Sequence, residues 1–252
     1  MQLRFLQLNM CKGRFLPEVI NFIKENNFDI VSLQEVSGGM WGYQHQYCFE
    51  EIKTALDYNA EIVSTWKDPK DFTSYLGNAT FFNKSIVLKG KNVLWLKEFA
   101  EVENKEGLVF ELLPRAALDI QLEIKGKPLR VINAHLAWGP NEKDDQNRLD
   151  QGKKFYNYLK TIDEPYIISG DFNVFADSQI VSWVSEFGKN LISEHGITNT
   201  LNPRVHRAKH LFPQGLAVDY IFPSLELKIN EFRVINDIDL SDHFGLLLEF
   251  EL

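Results

Sequence analysis

Cysteine is nearly absent. The 252 residues contain two, Cys11 and Cys48, so no disulfide framework is needed and a reducing interior suits the chain. The two could pair, but free thiols are the expectation. Long apolar runs are missing as well, since nothing approaches the roughly 18 consecutive apolar residues of a membrane span. The first ten residues carry one Arg and alternate apolar with polar, unlike a secretory leader. A protein without a membrane span, cytoplasmic and monomeric, is the expectation. Positive charge is also scarce, with 27 Lys plus Arg against 35 Asp plus Glu and a net charge of −8. A sequence-independent nucleic-acid coat needs a broad basic face, so this balance argues against one. It leaves room for a metal-dependent enzyme acting on phosphates, whose acidic ligands the ion would neutralise. Zinc-type Cys/His spacing, a Walker loop, a Gly-x-Ser-x-Gly elbow and a dinucleotide fingerprint are all missing. No linker, repeat or low-complexity stretch divides the chain, which reads as one domain over residues 1–252.

What is present can build a core: 44% of residues are hydrophobic and 25% charged, near the globular average. Leu3, Phe5 and Leu8 mark a first strand that ends at Asn9. Leu16, Val19, Ile20 and Ile23 share one face of a helix over about Phe15 to Asn26, with Pro17 tolerated in its first turn. Ile30 to Leu33 then form a strand that ends at Gln34-Glu35. Strand, helix and strand in that order make a βαβ unit, whose parallel strands bring Asn9 and Glu35 to one sheet edge. A short helix is expected at Glu50 to Leu56. From Ala60 the chain turns β-rich, with strands expected at 60–64, 79–82, 86–88, 93–96, 109–113, 116–122 and 129–135. A helix over Asp144 to Leu159 follows, with Asp144 and Asp145 complementing its N-terminal dipole. A strand at Tyr166 to Ser169, a helix at Ser178 to Phe187, and late strands at 218–222, 227–234 and 244–250 complete the reading.

Polar residues with chemical capability recur at the ends of these apolar strands: Asn9, Glu35, His135, Asp171, Asn173, Asp219, Asp242 and His243. Each has a structural alternative. Asn9 and the Gly170-Asp171-Phe172-Asn173 segment could be ordinary turns. Glu35 could be solvated, and His135 could be a satisfied core histidine. Asp219 inside Ala-Val-Asp-Tyr-Ile-Phe is harder to dismiss, because a buried carboxylate without a partner costs several kcal/mol. Period-2 geometry would point Asp171 and Asn173 the same way. Together the set supplies what phosphate-ester hydrolysis requires. Hard oxygen ligands suit a Mg²⁺-type ion, an amide and imidazoles can meet phosphate oxygens, and an Asp-His pair can handle protons.

These residues, in this order, resemble the endonuclease/exonuclease/phosphatase superfamily of metal-dependent phosphoesterases. The carrying segments are Leu8-Asn9, Leu33-Gln34-Glu35-Val36, Gly77-Asn78-Ala79, Arg115, Asn133-Ala134-His135, Gly170-Asp171-Phe172-Asn173, Asp219-Tyr220-Ile221-Phe222 and Ser241-Asp242-His243. The resemblance implies an α/β (α+β) four-layer sandwich, two mixed β-sheets packed face to face and flanked by helices. It also implies Mg²⁺ or Mn²⁺ as cofactor. By the same resemblance Glu35 is the principal metal ligand, with Asn9 beside it and Asp242 as a further ligand. Asp171 orients or deprotonates the attacking water, Asn173 and His135 contact phosphate oxygens, Asp219 partners His243, and His243 touches the phosphate or assists proton transfer. Arg115 meets the substrate phosphate or makes a surface salt bridge, and Asn78 is a further substrate-side candidate.

The substrate stays open at this stage. Abasic-site endonucleases of the superfamily carry a Lys where this chain has Ser37, and an aromatic and an Arg where it has Gly215-Leu216-Ala217-Val218. Inositol-polyphosphate phosphatases carry Asn-Tyr-Arg where it has Asn173-Val174-Phe175. Trp41, Tyr43, Tyr47 and Trp138 could stack a base or simply pack their loops. Arg204, His206, Arg207, Lys209 and His210 form the one basic cluster, a steering patch or a solvated loop. The expected partner is a phosphoester, with phosphodiesters of nucleic acid or a nucleotide-like molecule first. The alternatives are a phosphomonoester of a small metabolite or lipid headgroup, and a catalytically silent binding module.

Overall fold

The computed structural model describes residues 1–103, 108–139 and 144–252. In chain order, β1 (Gln2–Asn9), α1 (Leu16–Asn26), β2 (Ile30–Gly38) and α2 (Cys48–Leu56) are followed by a run of strands. These are β3 (Asn59–Lys67), β4 (Tyr75–Phe82), β5 (Val87–Lys97), the two-residue β6 (Ala100–Glu101), β7 (Arg115–Ile124) and β8 (Lys127–His135). Then come α3 (Gln146–Leu159), β9 (Tyr166–Asp171), α4 (Gln179–Ser185), α5 (Leu191–Glu194), β10 (Asp219–Pro223), β11 (Lys228–Ile235) and β12 (Gly245–Glu251). Among the described residues the strands form two mixed sheets, ordered β11-β12-β1-β2-β4-β3-β6 and β10-β9-β8-β7-β5. The α/β sandwich is as expected. No helix among the described residues is long and apolar enough to cross a membrane.

Strand alternation explains why the sheets pack. On β1, Leu3 and Phe5 enter the core shared by both sheets, while Leu6 and Leu8 pack with Leu16, Val19 and Ile23 of α1. With a period of two, Gln7 and Asn9 continue the inter-sheet face that Leu3 and Phe5 begin. On β2 the same face runs from Ile30 through Ser32 to Gln34, and on β4 from Phe82 through Thr80 to Asn78; all four of these polar residues are buried. The space between the sheets is therefore apolar at one end and polar at the other.

The βαβ start holds: β1 and β2 are parallel, with Asn9 opposite Gln34. Asn27 caps α1 in the left-handed conformation, φ 49°, which a short amide side chain tolerates. Asp145, not Asp144, caps α3, accepting from the Arg148 N–H at 2.9 Å. Asp144 instead accepts from the Gln179 N–H at the start of α4. Three of the expected strands differ. Residues 87–88 and 93–96 belong to one strand, β5, with a bulge between Leu88 and Gly90, while Ile86 lies just before it. Val109 to Leu113 is not a strand but holds a 3₁₀ turn, Phe110–Leu112. Val109, Phe110 and Leu112 are exposed, so the apolar run faces outward rather than into a sheet.

Candidate active site

Three neighbouring strands carry the centre of the site. β8 runs parallel to β9 with His135 opposite Asp171, and β10 runs antiparallel to β9 with Asp219 opposite Asp171. His135, Asp171 and Asp219 therefore form one row across a sheet edge, although they are far apart in sequence. His243 joins from the segment before β12. That segment is pinned by its bridge to Leu201 and by the Phe244 N–H donating to the Thr200 carbonyl at 2.6 Å.

The contacts are specific. His243 Nδ1 lies 2.9 Å from Asp219 Oδ2, and its Nε2 is 3.9 Å from Asp171 Oδ2. His135 Nε2 approaches the same Asp171 oxygen at 3.6 Å, and Asn9 Nδ2 donates to it at 3.0 Å. The other Asp171 oxygen accepts the Asn173 N–H at 2.9 Å. Asn173 is past the strand and left-handed, φ 52°, so its side chain does not follow the period-2 expectation. Its Nδ2 donates to Leu136 O, and its carbonyl accepts from Arg148 Nη1 at 3.1 Å.

Burial sets the protonation. It pushes the Asp171 carboxyl up to about 7, with the Asp219 charge adding to the rise; the His243 charge and the Asn9 hydrogen bond oppose it. Burial alone would lower His243, but Asp219, Asp171 and Asp242 outweigh it and hold the imidazole well above its usual range. His135 is driven well below, first by burial and then by Arg115 and His243. One cationic and one neutral imidazole thus flank a carboxylate poised near neutrality.

Glu35 is not at the end of its strand as expected. β2 continues to Gly38, and the register against β4 shifts between Leu33 and Val36. Glu35 lies in that bulge at φ 54°, a conformation that costs a non-glycine residue of order 1 kcal/mol and is found where function needs it. The bulge turns Glu35 into a cavity of about 410 Å³ shared with Asp242, Arg115 and His135. Among the described residues the Glu35 carboxylate has no hydrogen-bond or ion-pair partner. Asp242 Oδ1 accepts from Ser241 Oγ at 3.2 Å, and the Cys11 thiol hydrogen-bonds Asp242 and feels the Glu35 charge. Arg115 is buried, not in a surface salt bridge. It donates to Leu136 O and Pro114 O and lies over the Trp66 ring. Burial lowers it to about 10, so it is still cationic at neutral pH.

The remaining expected residues divide. Asn78 lines neither this cavity nor the chamber beside it; its Nδ2 donates to Ala116 O at 2.9 Å, tying the sheets together next to Arg115. Trp138 is 40% exposed and lines the adjoining chamber. Trp41 and Tyr43 line the Glu35 cavity, whereas Tyr47 reaches out to Thr73. The basic cluster also splits. His206 and Arg207 line the cavity, while Arg204 is held at the surface by Asp239 and the Asn236 carbonyl.

Several supporting residues were not expected. Asp219 Oδ2 also accepts from Thr200 Oγ1 at 2.7 Å, and its Oδ1 from Gln7 Nε2 at 3.1 Å. Gln7 Nε2 donates in addition to Gln34 Oε1 at 2.8 Å, and Gln34 Nε2 donates to Asn133 Oδ1 at 2.7 Å. Asn133 Nδ2 ends the line on the carbonyls of Leu33 and Ala79. Gln7 was legible in principle, as a polar residue on the β1 face that Leu3 and Phe5 bury. Thr200 was not, since a loop threonine carries no signal of its own. Thr200→Val is expected to lower the unfolding free energy by about 1–3 kcal/mol, the cost of removing a partner from a buried carboxylate. Urea titration measures it, and an unchanged midpoint would remove Thr200 from this role.

Residues 6–243 match the Endonuclease/Exonuclease/phosphatase family model. The chain belongs to that family. Members of the endonuclease/exonuclease/phosphatase family are phosphoester hydrolases that typically use a divalent metal. No curated protein sequence matches the chain significantly. Among solved structures it is similar to a family protein from Bacteroides vulgatus, with 21% identity, TM-score 0.76, and 100% of this chain and 99% of that chain covered. It is also similar to a mannosyl-6-phosphatase from Bacteroides thetaiotaomicron, with 20% identity, TM-score 0.71, and 99% and 100% covered. A third is TDP2 from D. rerio complexed with a single-strand DNA product, with 17% identity, TM-score 0.73, and 100% and 99% covered. The fold is shared by proteins with different substrates, so it does not choose one for this member.

Asp171, Asp219 and His243 each bring one possible ligand atom within 4.8 Å of the others, a grouping that could hold an ion. Their oxygens are already engaged by Asn9, Asn173, Thr200, Gln7 and His243 itself. Glu35 and Asp242 offer freer oxygens, so the family's ion fits the donor set of the larger cavity better.

Proposed function

We propose that this chain hydrolyses phosphodiesters with Mg²⁺ or Mn²⁺ and that its substrate is a nucleotide-like or nucleic-acid phosphoester. The observation that carries the reading is the geometry at Asp171, whose Oδ2 accepts from Asn9 and lies 3.6 and 3.9 Å from the Nε2 atoms of His135 and His243, in a buried setting that raises its carboxyl toward neutrality. A general base works best when its pKa is near the working pH. Glu35 and Asp242 would hold the ion, with the second lone pair of Asn9 Oδ1 beside them. When bound, it would polarise the phosphoryl group and offset its charge. Asp171 orients the attacking water and takes its proton. His243, aimed by Asp219, donates to a phosphate oxygen, and His135 and Asn173 hold the others. Arg115 adds a fixed positive charge that the neighbouring backbone carbonyls orient.

The charge balance supports an anionic substrate. Lys12, Arg14, Arg115 and Arg207 surround Glu35 and Asp242 in the larger cavity, an excess of cations in a protein whose net charge is −8. The exposed Tyr43 ring in the same cavity suits a base, at about 1–3 kcal/mol for a stacked ring. Monoester hydrolysis is the second reading, because a sugar phosphatase shares the fold. Two recesses, one on either side of His206, favour a phosphate with two arms.

Bis(p-nitrophenyl) phosphate is expected to be cleaved with Mg²⁺ or Mn²⁺, faster than p-nitrophenyl phosphate. EDTA should abolish the rate and excess metal restore it. No turnover across monoesters, diesters and oligonucleotides with either ion would instead support a binding module.

A further inference from the structure

Beside the cavity that holds Glu35 is a second recess of about 310 Å³. Trp138, Leu201, Phe212 and Leu216 line it, together with Arg148, Asn173 and His243. His206 and Ala208 line both recesses and so form the wall between them. The two spaces differ in chemistry. One is ringed by Lys12, Arg14, Arg115 and Arg207 around Glu35 and Asp242; the described lining of the other holds no carboxylate, and its cation Arg148 is buried and engaged by Asp145 and the Asn173 carbonyl.

We propose that the apolar recess is the subsite for one ester arm of the substrate phosphate, and that this arm ends in a flat apolar group. The inference rests on the phosphoesterase reading and names the kind of substrate it takes. Its basis is continuity: Asn173 and His243 line the recess and are also the groups assigned to the phosphate. A phosphate held by both has one ester oxygen facing the apolar walls. Small-molecule sites of this volume are lined mainly by apolar side chains with a few polar groups fixing orientation, and here those polar groups are the catalytic ones. An ionic arm would be poorly solvated there and would go to the cationic cavity instead.

The recess is built rather than incidental. Asn199 Oδ1 accepts the N–H groups of both Leu201 and Leu216, at 3.1 and 2.9 Å, so two of the walls hang from one side chain. Gly215 makes the turn between Phe212 and Leu216 at φ 82°, and a Cβ there would come 2.5 Å from the Asn199 side chain. On the opposite side Arg148 fixes the Asn173 carbonyl. His206 is fixed too: its Nδ1 accepts the Ala208 N–H at 3.2 Å. The neutral ring therefore carries its proton on Nε2.

The test is direct binding to the full chain with Mg²⁺, by calorimetric titration of dimethyl phosphate and of benzyl methyl phosphate. The benzyl ester is expected to bind at least about tenfold more tightly, the scale set by a well-placed apolar group in a pocket. Leu216→Asp and Phe212→Ala, each checked for folding by thermal unfolding, should bring the ratio to about one. Equal affinities in the wild type would overturn the proposal. So would a benzyl preference that survives both substitutions, which would place the ring beside Tyr43 instead. Turnover of bis(p-nitrophenyl) phosphate is measured separately. Its absence would overturn the hydrolase reading, while a preference dependent on Leu216 and Phe212 would leave the subsite standing.

Discussion

Asp171→Asn is expected to lower kcat/KM for an aryl phosphodiester by about 10²–10⁴-fold, the usual contribution of a general base. The substitution is nearly isosteric, and the amide oxygen can still accept the Asn173 N–H that the carboxylate accepts now. What it removes is the proton acceptor and a buried negative charge. The two losses have opposite signs for the protein. A carboxyl raised from 3.8 to about 7 on folding binds its proton more tightly in the folded state. The cost to stability is absent below pH 3.8, grows between there and about pH 7, and is fully present above. Urea titrations at pH 8 should therefore find the Asn variant at least as stable as the parent, with the advantage fading toward pH 4. The wild-type kcat/KM should fall as the pH drops through about 7 and Asp171 takes up its proton, with the limb displaced acidward by bound metal. The variant's residual rate should lack that limb. Loss of stability together with activity at pH 8 would mean that Asp171 holds the row of strands together rather than accepting a proton.

Replacing Glu35 should separate function from strain. Both Glu35→Gly and Glu35→Ala remove the carboxylate, and both should lower metal-activated turnover by more than about 10²-fold, beyond the loss typical of a residue that merely supports a ligand. They should differ in stability. Glu35 has φ 54°, where glycine is at ease and alanine is not. In metal-free buffer the Gly variant is expected to unfold about 1 kcal/mol later than the Ala variant. Equal stabilities would mean that the bulge relaxes when the carboxylate is gone. Metal-activated turnover in either variant near the wild-type rate would move the ion to the group around Asp171.

Much of this site was legible because strand ends are where an alternating apolar pattern stops. His135, Asp171 and Asp219 each close or open such a run, and the parallel pairing of β8 with β9 made their meeting foreseeable. The βαβ start likewise brought Asn9 and Glu35 to one edge. The rest depended on geometry that no local pattern encodes. The bulge at Glu35 and the left-handed turn at Asn173 are single-residue backbone choices by residues that are not glycine. Val109 to Leu113 has a strand's composition, but nothing in its order says that it faces solvent. Arg204 and Arg207 are three residues apart, yet only Arg207 lines the cavity, because Asp239 holds the Arg204 side chain. Thr200 and His206 act through long-range contacts of an irregular segment, where residue type says little about place.

The line of amides from Asn133 through Gln34 to Gln7 and Asp219 has one further consequence. Gln7 Nε2 donates both to Asp219 and to Gln34, Gln34 donates on to Asn133, and Asn133 donates to two backbone carbonyls, so the line crosses between the sheets at both ends. Turning over any one amide would set like against like, and because a carboxylate ends the line on one side and two backbone carbonyls end it on the other, its sense is fixed. The two sheets are thus keyed like the halves of a registered printing plate and resist sliding past each other. Variation in what the protein binds is left to the overhanging margins that carry Tyr43, Trp138 and Phe212. Those margins can be redrawn without disturbing the impression beneath.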